Sequence, residues 1–200
     1  KIGTVAKPVR ERIVLTDAEF DRIRKRFPVG SRYYIPLMIG WNCGLRINEC
    51  FALTWSDIDF EKKKIKVCKQ LLYQDKQWCF APLKTVNSYR SVNITAEFAQ
   101  YLADMKMQHD AERKLYGDGY KRNFVTDRRE PKKEKIIEVP DFINVKANGE
   151  MLTTNGAKFL ARIIKKDLGI HFKFHNLRHP YVKPTTKKFI TFFEVFRAAS

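Results

Sequence analysis

Two hundred residues suit one domain with room for a tail, and an apolar share of 44% is enough to build a core, which excludes a disordered chain. Thirty-nine Lys and Arg against 22 Asp and Glu leave a net charge of +17, which points to a polyanion or an anionic surface as partner. No apolar run approaches the roughly 18 residues of a membrane span, and no charged-then-apolar leader opens the chain. Nucleic acid is therefore the expected partner, no membrane is, and the expected compartment is cytoplasmic.

The four cysteines, Cys43, Cys50, Cys68 and Cys79, form no C-x-x-C pair and have no histidine at zinc-ligand spacing. Each sits within an apolar run, so buried free thiols in a reducing, intracellular setting are expected, with no metal and no cofactor.

In chain order, residues 1–14 read as a basic linker or arm carrying Lys1, Lys7, Arg10 and Arg12. Thr16-Asp17-Ala18-Glu19 is a capping box that predicts a helix over 17–27 with Phe20, Ile23 and Phe27 inward, ended by Pro28 and Gly30. Ser31 opens a second helix, almost wholly apolar through Ile35, Leu37, Met38, Ile39 and Trp41. Gly44 suits left-handed backbone between it and a third helix, whose Ile47, Cys50, Phe51 and Leu53 make one buried face. Arg46 lies between the two apolar runs and cannot sit in the core unpaired. Glu49, three residues on, shares its helical face and can hold it; the plainer reading is a local surface pair.

After Asp59 the period changes. Residues 64–71 alternate as a half-exposed strand does, with further strands expected over 78–81 and 90–94. The stretch from Pro82 to Val92 between them, taken alone, is a basic hairpin tip. Thr95 caps a helix reaching about Tyr116, with Phe98, Leu102, Met105 and Met107 as candidate core. Residues 120–135 carry Lys121, Arg122, Arg128, Arg129, Lys132, Lys133 and Lys135, a solvated loop or a phosphate-contacting one. Residues 136–145 contain Pro140 and are at best an edge strand, and Asn148-Gly149 is a turn. Thr153-Thr154 starts a helix through Phe159, Leu160, Ile163 and Ile164 to Leu168, stopped by Gly169, with Lys158, Arg162, Lys165 and Lys166 on its outer face. His175 and Arg178 then form an H-x-x-R pair whose members share one face.

GLRINECFALTWSDIDF resembles the first signature box of the tyrosine recombinases, the phage-integrase family, which reads roughly G-L-R-x-x-E-x-x-x-L-x-W-x-D-I-D. Gly44, Leu45, Arg46, Glu49, Leu53, Trp55, Asp57, Ile58 and Asp59 match it. The second box, roughly P-K-T-x-x-S-x-R-x-[VI], is met by Lys84, Thr85, Ser88, Arg90 and Val92, and the third, H-x-x-R, by His175 and Arg178. Three boxes in order resemble the catalytic domain of a mobile-element integrase over about residues 15–179. The fold this implies is α+β, a mostly helical core with a small antiparallel three-stranded sheet.

Such enzymes cut DNA by attack of a tyrosine hydroxyl on a backbone phosphate, leaving a 3′-phosphotyrosine and a free 5′-hydroxyl without a metal. The resemblance makes Arg46 and Arg178 a guanidinium clamp on the charge that builds on the phosphate. It makes His175 a hydrogen-bond donor or proton carrier and Lys84 the acid for the leaving 5′ oxygen. Glu49 would orient Arg46. Thr85, Ser88, Arg90, Lys121, Arg122, Arg128 and Arg129 would contact double-stranded DNA, the implied partner.

A fourth family box, roughly L-G-H-x-x-x-x-T-x-x-Y, finds no match. After His179 the chain reads PYVKPTTKKFITFFEVFRAAS, in which the one tyrosine, Tyr181, lies three residues past Arg178. Pro180 disfavours helical backbone at His179. Residues 180–200 thus read as a non-family tail. Phe189, Phe192, Phe193 and Phe196 give it the stripe of one amphipathic helix, expected to pack on its own core or on a second copy. The expectation is a recombinase domain incomplete at both ends that binds DNA and cleaves poorly. The competing readings are a non-catalytic DNA-binding remnant that regulates recombination, and an RNA-binding module, which would explain charge and aromatics but not the ordered boxes.

Overall fold

The computed structural model describes residues 14–178. Helix α1 (Asp17–Arg26) begins as the capping box requires: Thr16 Oγ1 accepts from Glu19 N–H at 3.2 Å, and Glu19 Oε2 accepts from Thr16 N–H at 2.9 Å. Phe20, Ile23 and Phe27 are buried, and Phe20 stacks on Trp41 with centroids 4.0 Å apart. That contact docks α1 on α2 (Tyr34–Cys43), a helix apolar on every side and therefore buried among its neighbours. The Ser31 turn precedes α2 rather than opening it, since Tyr34 N–H donates to Ser31 O. Gly44 ends α2 at φ 59°, ψ 31°, left-handed backbone that only glycine takes without cost. Helix α3 (Ile47–Phe51) follows at once, one turn long.

The expected antiparallel three-stranded sheet is present, with different membership. Its order is β1 (Ile58–Asp59), β2 (Lys64–Val67), β5 (Arg90–Asn93). The predicted 64–71 strand breaks at Cys68-Lys69. Its second half, β3 (Gln70–Gln74), pairs with β4 (Gln77–Ala81) in another, four-stranded sheet, completed by β6 (Phe124–Asp127) and β7 (Lys135–Glu138) in the order β3-β4-β6-β7. The burial alternation runs on through the break, with Ile65, Val67, Lys69 and Leu71 all buried, and Lys69 fills its inward place by pairing with Asp57. Asp75 and Lys76 make the β3–β4 turn with φ 49° and 60°, without the glycine that usually marks such a hairpin.

Helix α4 (Ala96–Tyr116) starts at the predicted cap, Thr95. Phe98, Leu102 and Met105 are core as expected, but Met107 is 70% exposed, because it lies off the buried stripe. The basic run 120–135 is not simply a loop: β6 (Phe124–Asp127) lies within it, parallel to β4 and antiparallel to β7 (Lys135–Glu138). β7 is an edge strand that stops before Pro140. Helix α5 (Thr154–Leu168) buries Ala157, Leu160 and Ile164, exposes its basic face as predicted, and leaves Phe159 exposed too. The described chain closes with a 3-10 helix, Phe174–Arg178. Cys43, Cys50 and Cys79 are buried thiols, while Cys68, expected to be buried, is half-exposed at the strand break. No helix among the described residues is long and apolar enough to cross a membrane. The predicted arm, His179, Tyr181 and the phenylalanine tail lie outside the described residues.

Candidate active site

Gly44 turns the chain so that Leu45 is buried and Arg46 becomes the extended residue capping α3. One turn on, Glu49 is only 2% exposed. A carboxylate this deep needs its oxygens occupied, and three donors do so. Arg46 N–H reaches Oε2 at 2.9 Å, Arg46 Nη1 reaches Oε1 at 2.8 Å, and Arg90 Nη2 reaches Oε2 at 2.8 Å. Arg90 also donates from Nη1 to Ser88 O at 3.0 Å. Burial pushes the Glu49 carboxyl upward. The bonds from the Arg90 side chain and from the backbone and side chain of Arg46 outweigh it and hold the group below its ordinary range.

The third segment arrives from the far end of the fold. The 3-10 helix lies on α2 and α3: Phe174 and Leu177 meet α2 at Gly40, and the rings of Phe174 and Phe51 sit 6.1 Å apart. Residues three apart eclipse in a 3-10 helix, so exposed His175 and half-buried Arg178 share one face. Arg178 is close enough to feel its neighbours. Burial, and then the positive charges of Arg46 and Arg90, lower its proton affinity, while Glu49 opposes them. Three guanidinium charges against one carboxylate leave a surplus of two at a surface where Arg46 remains 53% exposed. That surplus favours an anion.

Lys84, Thr85 and Ser88 stand on the segment joining β4 to β5, which ends at Arg90. Lys84 and Thr85 are exposed, and the Thr85 and Ser88 hydroxyls bond each other at 2.9 Å. The other predicted DNA contacts belong to the four-stranded sheet or its rim. Arg122 pairs with Glu138, and Arg128 pairs with Asp75 at 2.7 Å and with Glu134 at 3.1 Å. Arg129 pairs with Asp127 at 2.6 Å, and Lys121 is exposed. The structure thus gathers Arg46, Glu49, Arg90 and Arg178, places His175 beside Arg178, and sets the 121–129 cluster on a different sheet. Sequence reasoning placed Arg90 on DNA and missed its pairing with Glu49 over 41 positions, and no local signal marked it, since Arg46 already supplied Glu49 with a partner.

Residues 14–182 match the sequence model of the phage integrase family. The chain belongs to the phage integrase family. A tyrosine recombinase XerC-like protein of Caldanaerobacter subterraneus is 28% identical over 198 residues, taking in 90% of this chain and 45% of the relative. The chain therefore spans less than half the length of that relative. Among solved structures, the Tn1549 transposon integrase in complex with transposon right-end DNA matches with a TM-score of 0.65 at 21% identity, covering 88% of this chain and 54% of that one. The XerA recombinase matches with a TM-score of 0.55 at 18% identity, covering 87% and 50%. The α+β fold is that of the tyrosine-recombinase catalytic domain.

Asp57, another first-box position of this phage integrase chain, has a structural role. Asp57 Oδ2 accepts from Thr54 N–H at 2.9 Å and Thr54 Oγ1 at 2.7 Å, and takes the ammonium of Lys69. This knot ties α3 and the turn after it to the start of β3.

The Glu49 geometry gives a pH prediction. Its folded-state carboxyl ionises below the ordinary value of 4.5, so its stabilisation is fully present above that value and is lost as pH falls through the folded pKa. Melting temperature should drop on acidification below about pH 5. Glu49→Gln should melt lower at pH 7 and show a shallower acid decline, measured by circular dichroism; parallel profiles would argue against the assignment.

Proposed function

We propose that this chain is the phosphate-clamping part of a site-specific DNA recombinase acting in integration or excision of a mobile element. The observation that carries the reading is the convergence of Arg46, Arg90 and Arg178 around one buried carboxylate, with His175 on the face of Arg178. Arg46 and Arg178 would donate to the non-bridging oxygens of the scissile phosphate, where charge grows as a nucleophile attacks. Arginine suits this because its fork donates two bonds and stays charged. Glu49 would fix the fork of Arg46, and Arg90 would brace Glu49 while keeping 29% of its side chain exposed for DNA. His175 would hydrogen-bond the same phosphate or carry a proton. Lys84, on its exposed segment, would protonate the leaving 5′ oxygen. Lys121, Arg122, Arg128 and Arg129 would meet flanking phosphates, since exposed ion pairs are worth about 0–1 kcal/mol and exchange readily for a phosphate partner.

In this reading residues 14–178 bind duplex DNA, and Tyr181, three positions after Arg178 in sequence, does not match the family's tyrosine box, so poor cleavage is expected of these 200 residues by themselves. The test is a duplex carrying a nick beside the cleavage position, which traps covalent intermediates, run native and denatured. A native shift without a denaturation-resistant band is expected. Affinity should fall by about 10³–10⁵ between 50 and 200 mM salt, and Arg46→Ala and Arg178→Ala should each weaken it by about tenfold or more. A covalent band lost in Tyr181→Phe would overturn the cleavage reading. RNA preferred over duplex DNA, or no effect of either arginine, would overturn the clamp.

A further inference from the structure

The segment that carries Lys84 lies outside both ladders. Strand β4 ends at Ala81 in the four-stranded sheet, and β5 begins at Arg90 in the three-stranded one. Residues 82–89 cross from one sheet to the other, and side chains hold their path. Gln70, on β3, donates from Nε2 to Pro82 O at 2.8 Å. Tyr89 Oη accepts from Leu83 N–H at 3.3 Å, which closes a ring of chain around Lys84. Pro82 O and Leu83 N–H are the two polar ends of one peptide plane, so the plane just before Lys84 is held from both sides. At the far end Arg90 donates from Nη1 to Ser88 O at 3.0 Å, and its Nη2 holds Glu49 at 2.8 Å.

A lysine needs such help. Its ammonium rides on a flexible four-carbon stem that sets no direction of its own. A proton donor has to come within about 2.6–3.2 Å of the atom it serves. The root of the side chain must therefore be fixed by something else. Lys84, Thr85, Val86 and Asn87 are all exposed, so packing does not fix it. Within the segment, Ser88 N–H donates to Thr85 O at 3.0 Å and Tyr89 N–H to Val86 O at 3.1 Å, which shapes the turn after the lysine. Leu83, just before it, is buried and anchors the entry.

We propose that Tyr89 is a positioning residue for Lys84, acting with Gln70 through the peptide plane between Pro82 and Leu83. This rests on the reading of Lys84 as the acid for the leaving 5′ oxygen. The second signature box leaves position 89 open, so the motif itself gives Tyr89 no role. Arg90 ties the other end of the segment to the carboxylate that holds Arg46, so the proton donor and the phosphate clamp share one anchor. Removing the Tyr89 hydroxyl frees the entry side of the segment and leaves that anchor in place.

The test is a nicked duplex whose 5′-terminal carbon is an aldehyde in place of the alcohol. A lysine amine at that place condenses with it, losing water to form an imine, and sodium cyanoborohydride reduces the imine to a stable secondary amine. The adduct survives denaturation, needs no tyrosine nucleophile, and is located by peptide mass. The full chain should give an adduct at Lys84 that is absent in Lys84→Arg. With protein saturating, so that affinity drops out, Tyr89→Phe should slow adduct formation at Lys84 by about threefold to tenfold, and Gln70→Met by a similar factor. DNA affinity and melting temperature should stay at the parent values in both. No adduct at Lys84 in the parent would overturn the Lys84 assignment, and this inference with it. A parental adduct that forms at the same rate in both variants would overturn the positioning role alone. Slower formation matched by a lower melting temperature would make Tyr89 a support of the fold and not of Lys84.

Discussion

Asp57→Ala is expected to destabilise the domain by about 3–5 kcal/mol, the cost of leaving one member of a buried ion pair without its partner. Lys69 is 6% exposed and Asp57 8%, so water cannot replace the lost carboxylate. The ammonium would keep Thr54 Oγ1, at 3.1 Å, as its one oxygen partner among those described, with the Phe80 ring at 5.4 Å below it. Thr54 N–H would lose its acceptor as well, which unravels the turn leading from α3 into β1. Against a total stability of about 5–15 kcal/mol, that is enough to leave a sizeable unfolded population. Lys69→Met should cost less, since Asp57 keeps two donors from Thr54. The decisive comparison is Asp57→Asn with Lys69→Met together, which removes both charges and keeps an acceptor for the turn. In urea unfolding the double variant should be more stable than Asp57→Ala alone. A loss under about 1 kcal/mol for Asp57→Ala, or no recovery in the double variant, would show that the pair is not the knot described.

This pair also marks what the sequence could and could not reveal. Elements set by local rules were readable: the Thr16 and Thr95 caps, the Gly44 and Gly169 stops and the buried stripe of α1 depend on residues a few positions apart. The residues of the proposed clamp stand in short motifs, each holding its own members in register. What the motifs did not contain was the partner across space. The alternation puts Lys69 on the inward phase with Val67 and Leu71, but nothing local says that Asp57 meets it there or that β3 leaves for a second sheet. Strand β6 was hidden because its flanks are charged, and only pairing with β4 and β7 makes a strand of it. Arg90 was visible as a motif arginine, but its carboxylate lies on another element.

Gly40 is where packing seats the 3-10 helix that carries His175 and Arg178, and under the proposed function enlarging it should hurt DNA binding more than folding. A Cβ on Gly40 would come within 2.6 Å of Leu177 Cδ1 and 3.0 Å of Phe174 Cζ. Leu177 is fully buried, so its methyl has nowhere to retreat, and the relief available is for the 3-10 helix to lift from α2. Overpacking of this kind costs about 1–3 kcal/mol. An alanine inside a helix returns up to about 1 kcal/mol relative to glycine, so Gly40→Ala should be close to neutral or mildly destabilising. Gly40→Leu has no such offset and should lose stability by the overpacking cost or more. The larger effect falls on function, because the lifted helix carries His175 and Arg178 while Arg46 and Glu49 stay behind on α3. A displacement of about 1 Å in a charge clamp costs on the order of 100-fold in a reaction that needs its geometry. Binding to the nicked duplex at low salt should fall about tenfold for Gly40→Leu, with a salt dependence shallower by about one phosphate contact. Gly40→Leu that folds and binds with the parent salt slope would mean that Arg178 does not touch the phosphate, and the clamp would reduce to Arg46 and Arg90.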